Sequence, residues 1–183
     1  MLITEENQVL GLDLAKLTGY CVSDGTHFES GVWDFGKIRD AMKERHNGHM
    51  FDALYDKLNN MDFPDAIVYE RAHHRGGAAT RIALGLVSVT LMYAARHDIR
   101  VFDVHTATLK KWATGDYRAG KLAMMAFASE KAGREITSDD EGDAICVSAY
   151  GRSVLKEEED EEAGTNKGGV SEDADEGAGS DAP

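Results

Sequence analysis

Four acids stand where acids are expensive. Asp13 lies inside the apolar run Val9-Leu10-Gly11-Leu12-Asp13-Leu14, Glu70 closes Ala66-Ile67-Val68-Tyr69-Glu70, and Asp140 and Asp143 lead into Ala144-Ile145-Cys146-Val147. A carboxylate removed from water needs a cation, a set of hydrogen-bond donors or a proton. A divalent metal answers all four at once. Hard oxygen ligands suit magnesium, with manganese as a substitute, and two such ions about 3.5–4 Å apart are the usual apparatus for in-line phosphodiester displacement. One ion would activate water and the other would stabilise the leaving 3′ oxygen.

Each acid also has a plainer reading. Asp139, Asp140 and Glu141 suit a first helical turn through the helix dipole alone, and Ser138-Asp139-Asp140-Glu141 has the form of a capping box with Glu141 as the cap partner. Glu70 could end a strand at the surface. Asp143 is harder to dismiss because Cys146 and Val147 share its face, and the i, i+3 spacing puts it beside Asp140. Asp13 has the weakest plain reading, since an acid between Leu12 and Leu14 does nothing for stability.

The elements that must hold these residues follow from the hydrophobic pattern. Residues 9–14, 19–23 and 28–35 read as three strands, with Asp24-Gly25 as a hairpin signal. Residues 37–61 carry apolar side chains at helical spacing with a break near Asn47-Gly48, and residues 66–70 form a further strand, a parallel neighbour of the first. Residues 78–97 predict a helix apolar almost all round, buried in this core or against another subunit. A strand at 99–104 precedes helices at 106–112, 121–131 and 139–155. The expected fold is α/β: a mixed sheet, an antiparallel meander followed by parallel strands, flanked by helices on both faces.

A second constellation is basic. Arg71, His73, His74, Arg75 and Arg81 follow the Glu70 strand, while Lys110, Lys111, Arg118, Lys121, Lys131 and Arg134 occupy the later helices and the loop at 114–120. Phosphate contacts need cations and backbone donors rather than a base code, which makes this a candidate DNA-facing side. The alternative is that these residues solvate exposed helix faces. His73-His74 lacks a third ligand at zinc spacing. Signatures of a nucleophilic serine elbow, a phosphate loop or a dinucleotide fold are absent from the sequence.

The chain has 183 residues and a net charge of −13, but residues 156–183 hold 11 acidic and 2 basic residues, so the tail is near −9 and the body near −4. The average charge therefore does not exclude a nucleic-acid partner. One domain at 1–155 and an acidic disordered tail at 156–183 are expected, because Val170 is the tail's only large apolar residue and the segment cannot bury enough surface to offset its ordering entropy. Cys21 and Cys146 form neither a disulfide framework nor a zinc cluster, which fits a reducing, cytoplasmic compartment. The uncharged stretch at 82–95 is too short to cross a bilayer, and the N-terminus lacks the order of a secretory signal, so a soluble, unexported protein is expected.

The blocks VLGLDLAKLTGYCV, DAIVYERAHHRGGAATRIALGLVSVTLMYAA, IRVFDVHTATLKKWATG with GKLAMMAFA, and DDEGDAICVSAYG resemble RuvC-type Holliday-junction resolvases, especially the compact bacteriophage and prophage branch. The resemblance spans about residues 9–151. It implies an RNase H-like fold, two magnesium ions and a homodimer that nicks two strands of branched DNA symmetrically, in a bacterial or phage-infected host cell. Matched motif to motif, Asp13, Glu70, Asp140 and Asp143 fall on the metal-binding carboxylates. Lys121, with Lys110 and Lys111, falls in the segment whose lysines approach phosphates. Arg75 and Arg118 join the candidate DNA contacts, and the helix at 78–97 falls in the dimer region. The first block reads Asp13-Leu14-Ala15-Lys16, without the Asp-Pro-Gly of the cellular enzymes. Remaining alternatives are a nuclease of this fold acting on flaps, forks or RNA–DNA hybrids, and a catalytically silent branched-DNA binding module.

Overall fold

Strands β1 (Val9–Asp13), β2 (Leu17–Ser23) and β3 (Phe28–Asp34) form an antiparallel meander, and β4 (Ala66–Glu70) and β5 (Arg100–Val104) extend it with parallel pairs. The resulting sheet has the order β3-β2-β1-β4-β5. The computed structural model describes residues 8–42, 47–71 and 77–166, with side chains except at 39–42 and 164–166. The predicted Asp-Gly hairpin is present. Gly25 adopts a φ of 97°, and the Asp24 carboxylate accepts from the backbone of Thr26 and His27.

Helices cover both faces, as the pattern predicts. On one side α1 (Phe35–Met42), α2 (Gly48–Asn59) and α3 (Gly77–His97) pack on Leu10, Leu12 and Ile67. On the other, α4 (Thr106–Thr114), α5 (Lys121–Ala132) and α6 (Asp139–Asn166) pack on Val9, Cys21, Ala66 and Val68. The period-2 alternation of β1 and β4 thus divides the core into two halves.

Helix α6 crosses the middle of the sheet, and glycines let it come close. A Cβ on Gly11 would sit 2.4 Å from the Ser148 amide nitrogen, and one on Gly19 would sit 1.7 Å from the Asp140 carbonyl oxygen. From the helix side, a Cβ on Gly151 would meet Val68 at 2.4 Å. The Ser148 hydroxyl donates to the Val9 carbonyl at 2.9 Å, fixing the contact.

Three expectations change. Helix α6 does not stop at Leu155 but runs to Asn166, so residues 156–166, assigned above to a disordered tail, are helical. The glutamates there are good helix formers added to an already nucleated helix, and Glu158 pairs with Arg100 at 2.6 Å. Residues 167–183 lie outside the described residues. Helix α3 is less enclosed than its composition implies: Ile82, Leu86, Tyr93 and Ala94 are buried, whereas Leu84, Leu91 and Met92 are each 41% exposed. Its length and composition would suit a membrane span, but that buried face belongs to the domain core. The Ser138 capping box is half formed. Its hydroxyl lies a long 3.5 Å from the Glu141 amide, while the Glu141 carboxylate turns to Ser30 and Arg134.

Candidate active site

The four acids are delivered by three elements. Asp13 ends β1 and Glu70 ends β4, adjacent parallel strands in which Leu12 stands opposite Tyr69. Alternation puts Asp13 on the face of Gly11 and Glu70 on the face of Val68, both beneath α6. This is the carboxyl edge of the parallel pair, where open α/β sheets usually bind their ligands. Asp140 and Asp143 come from the first turns of α6, which Gly19 admits to the sheet; Gly19 is itself the cross-strand partner of Asp13.

The electrostatics bind the four together. Burial is the main reason Asp13 is raised from 3.8 to about 8, and Glu70, Asp143 and Asp140 push it in the same direction. Burial likewise raises Asp143 to about 6, with Glu70 and Asp140 adding to the effect and Lys110 and Lys121 opposing it. Asp13 and Asp143 therefore both sit within the field of Glu70 and Asp140. A cleft of about 590 Å³ opens beside them, lined by Glu70, Asp143, Asp139, Thr106, Lys110 and Lys121. Asp13 and Asp140 border this group without lining the cleft.

Two residues at this cleft were not singled out from sequence. The Thr106 hydroxyl, in the first turn of α4, donates to Glu70 Oε1. Asp139, read above as a dipole stabiliser, pairs with Lys121 and ties the start of α5 to the start of α6. Neither signal is available without the fold, because both depend on helices that meet only in three dimensions. Glu141 is corrected from cap partner to anchor. Its Oε1 accepts from Ser30 Oγ at 2.9 Å and from Arg134 Nη2 at 2.5 Å, fastening the first turn of α6 to edge strand β3.

The basic set divides. Lys110 and Lys121 face the carboxylates. Lys111, one residue along α4, faces a second groove with Trp112, Tyr117 and Tyr150. Arg118 lies over the Tyr117 ring, 5.0 Å from its centroid. Arg71 pairs with Asp103, and Arg134 pairs with Glu141. Arg75, His73 and His74 lie outside the described residues. Cys21 and Cys146 are both buried, which pushes each thiol up to about 12 and keeps it unreactive.

No family model matches the chain, and no curated protein does. Solved structures do. RuvC of T. thermophilus in complex with a Holliday junction substrate superposes with a TM-score of 0.64 at 15% identity, covering 81% of this chain and 97% of that one. This is a RuvC-like fold. A second Thermus thermophilus RuvC structure gives a TM-score of 0.57 at 16% identity over the same shares of the two chains. The expected RNase H-like mixed sheet with flanking helices is therefore the observed architecture.

The donor set can be tested for a metal. Four carboxylates offer only hard oxygens, the chemistry that magnesium and manganese accept. Asp13 and Asp143 are raised by burial and by neighbouring acids, so a bound cation would relieve a cost already present. Among the described residues no three such side chains form a ready-made ion cage. The backbone brings the acids to one edge of the sheet. By donor chemistry they fit the ion.

Proposed function

We propose that this chain is a magnesium-dependent, structure-selective endodeoxyribonuclease that resolves Holliday junctions by paired symmetric nicks. The observation that carries the reading is the grouping of Asp13, Glu70, Asp140 and Asp143 at the carboxyl edge of β1 and β4, with Asp13 raised to about 8. The substrate class is supported by the fold neighbour seen with a Holliday junction substrate, matched over 97% of its length.

Asp13, Glu70, Asp140 and Asp143 would hold two magnesium ions, with manganese able to replace them. When bound, such ions supply an activated water and stabilise the leaving 3′ oxygen. The chain's own groups do the rest. Thr106 holds the Glu70 carboxylate by its hydroxyl. Lys110 and Lys121 bring positive charge to the same cleft, where a phosphate would compete with Asp139 for Lys121. Lys111, Arg118 and Arg75 would meet flanking DNA.

Symmetric nicking needs two copies of the site. Leu84, Leu91 and Met92 form an exposed apolar stripe along α3, and we assign to it the homodimer contact. The reading includes a place in the bacteriophage and prophage branch, acting inside a bacterial or phage-infected cell. A silent branched-DNA module remains a second reading, favoured by the lack of a ready-made cage among the described residues.

A synthetic four-way junction decides between them. The wild type with magnesium is expected to nick opposing strands, and Asp13→Asn to bind the junction without nicking it. Binding without cleavage by both proteins supports the silent module instead.

A further inference from the structure

Beside the carboxylate cleft lies a second groove that none of the four acids lines. It encloses about 610 Å³ and is lined by Ala107, Thr108, Lys111, Trp112, Tyr117 and Tyr150. Its floor is rigid. Trp112 meets Phe127 edge-on at 5.3 Å and Tyr150 at 5.5 Å, between α4, α5 and α6. Its wall is different in kind. Tyr117 is 53% exposed and projects from the loop between α4 and α5, with the Arg118 guanidinium over its ring.

An exposed tyrosine stacked by an arginine adds little to a core, and an open groove with aromatic walls and cationic edges suits a flat, partly apolar group carried by an anion. A nucleobase on its phosphodiester strand has that chemistry. The two grooves share α4: Lys110 faces the carboxylates and Lys111 faces the aromatics, one residue apart. A strand with a phosphate at Lys110 and Lys121 would therefore carry a neighbouring nucleotide toward Tyr117.

We propose that this groove is a stacking site for an unpaired nucleobase of the bound strand, taken from its duplex next to the phosphate being cut. This rests on the nuclease reading for its location but not for its chemistry. Stacking on an aromatic side chain is available to any base and excludes a paired one, so the groove would favour branched or single-stranded DNA over continuous duplex.

The test is equilibrium binding of fluorescein-labelled DNA by the full chain without added metal, which separates binding from cleavage. The probes are a short single-stranded oligonucleotide, a four-way junction and a matched duplex. Tyr117→Ala is expected to weaken the first two by about tenfold or more and leave the duplex unchanged, since one base stacked on an aromatic ring contributes about 1–3 kcal/mol. Tyr117→Phe is expected to retain wild-type affinity. Equal weakening on all three probes, unchanged binding of all three, or a wild type that binds no oligonucleotide overturns the proposal. Wild-type nicking is measured in parallel: selective loss in Tyr117→Ala together with no nicking by the wild type leaves the stacking site standing and removes the nuclease reading.

Discussion

At the scale of the residue, the cost of Asp13 has a measurable sign. Its carboxyl is raised from 3.8 to about 8 on folding, mainly by burial, so the folded chain holds the proton more tightly than the unfolded chain. That contribution is complete below the unfolded value and is lost as pH rises through the folded one. The metal-free protein is therefore expected to lose stability between pH 5 and 8.5. Asp13→Asn, which cannot ionise, should flatten this slope and stabilise the metal-free protein at high pH by about 2 kcal/mol, or roughly 4–8 °C in Tm. Magnesium should raise the melting temperature of the wild type and not that of the variant. Thermal melts across pH, with and without the ion, check both statements; a variant with the wild-type pH slope contradicts them.

At the scale of the element, the site depends on how closely α6 approaches the sheet. A Cβ at Gly19 would fall 1.7 Å from the Asp140 carbonyl oxygen, and backbone cannot yield as a flexible side chain can. Gly19→Ala is expected to push the first turn of α6 outward, cost about 1–3 kcal/mol and abolish junction nicking while much of the DNA affinity survives. Melting, nicking and binding measured on the one variant check this, and wild-type nicking would refute it. Strand-borne acids were legible from sequence because Asp13 and Glu70 interrupt or close apolar runs whose period fixes their face. The pairing of Asp139 with Lys121 was not, nor was the hold of Thr106 on Glu70, since each joins elements distant in sequence. Glu141 misled for the same reason: its spacing from Ser138 is that of a local cap, but Ser30 and Arg134 offer stronger partners. The extension of α6 past Leu155 was hidden by composition, because a glutamate run reads as a solvated tail until a packed helix precedes it.

At the scale of the whole molecule, the paired cuts proposed for opposing strands would require two sites at a fixed separation. The stripe of Leu84, Leu91 and Met92 runs along α3, on the side away from the face packed against the sheet. Leu91→Glu with Met92→Glu places charge in that stripe without touching the buried residues Leu86 and Tyr93. The double variant is expected to be a folded monomer that leaves most nicked junctions with one cut rather than two; light scattering and product analysis read the two effects. An unchanged dimer, or a wild type that is monomeric at assay concentration, removes α3 as the contact. All of this depends on the acids of β1, β4 and α6 acting together as ligands. Anomalous diffraction from manganese-soaked crystals of the chain with branched DNA tests that directly. Two peaks about 3.5–4 Å apart among the carboxylates of Asp13, Glu70, Asp140 and Asp143 are predicted; density elsewhere, or none at these side chains, would contradict the account.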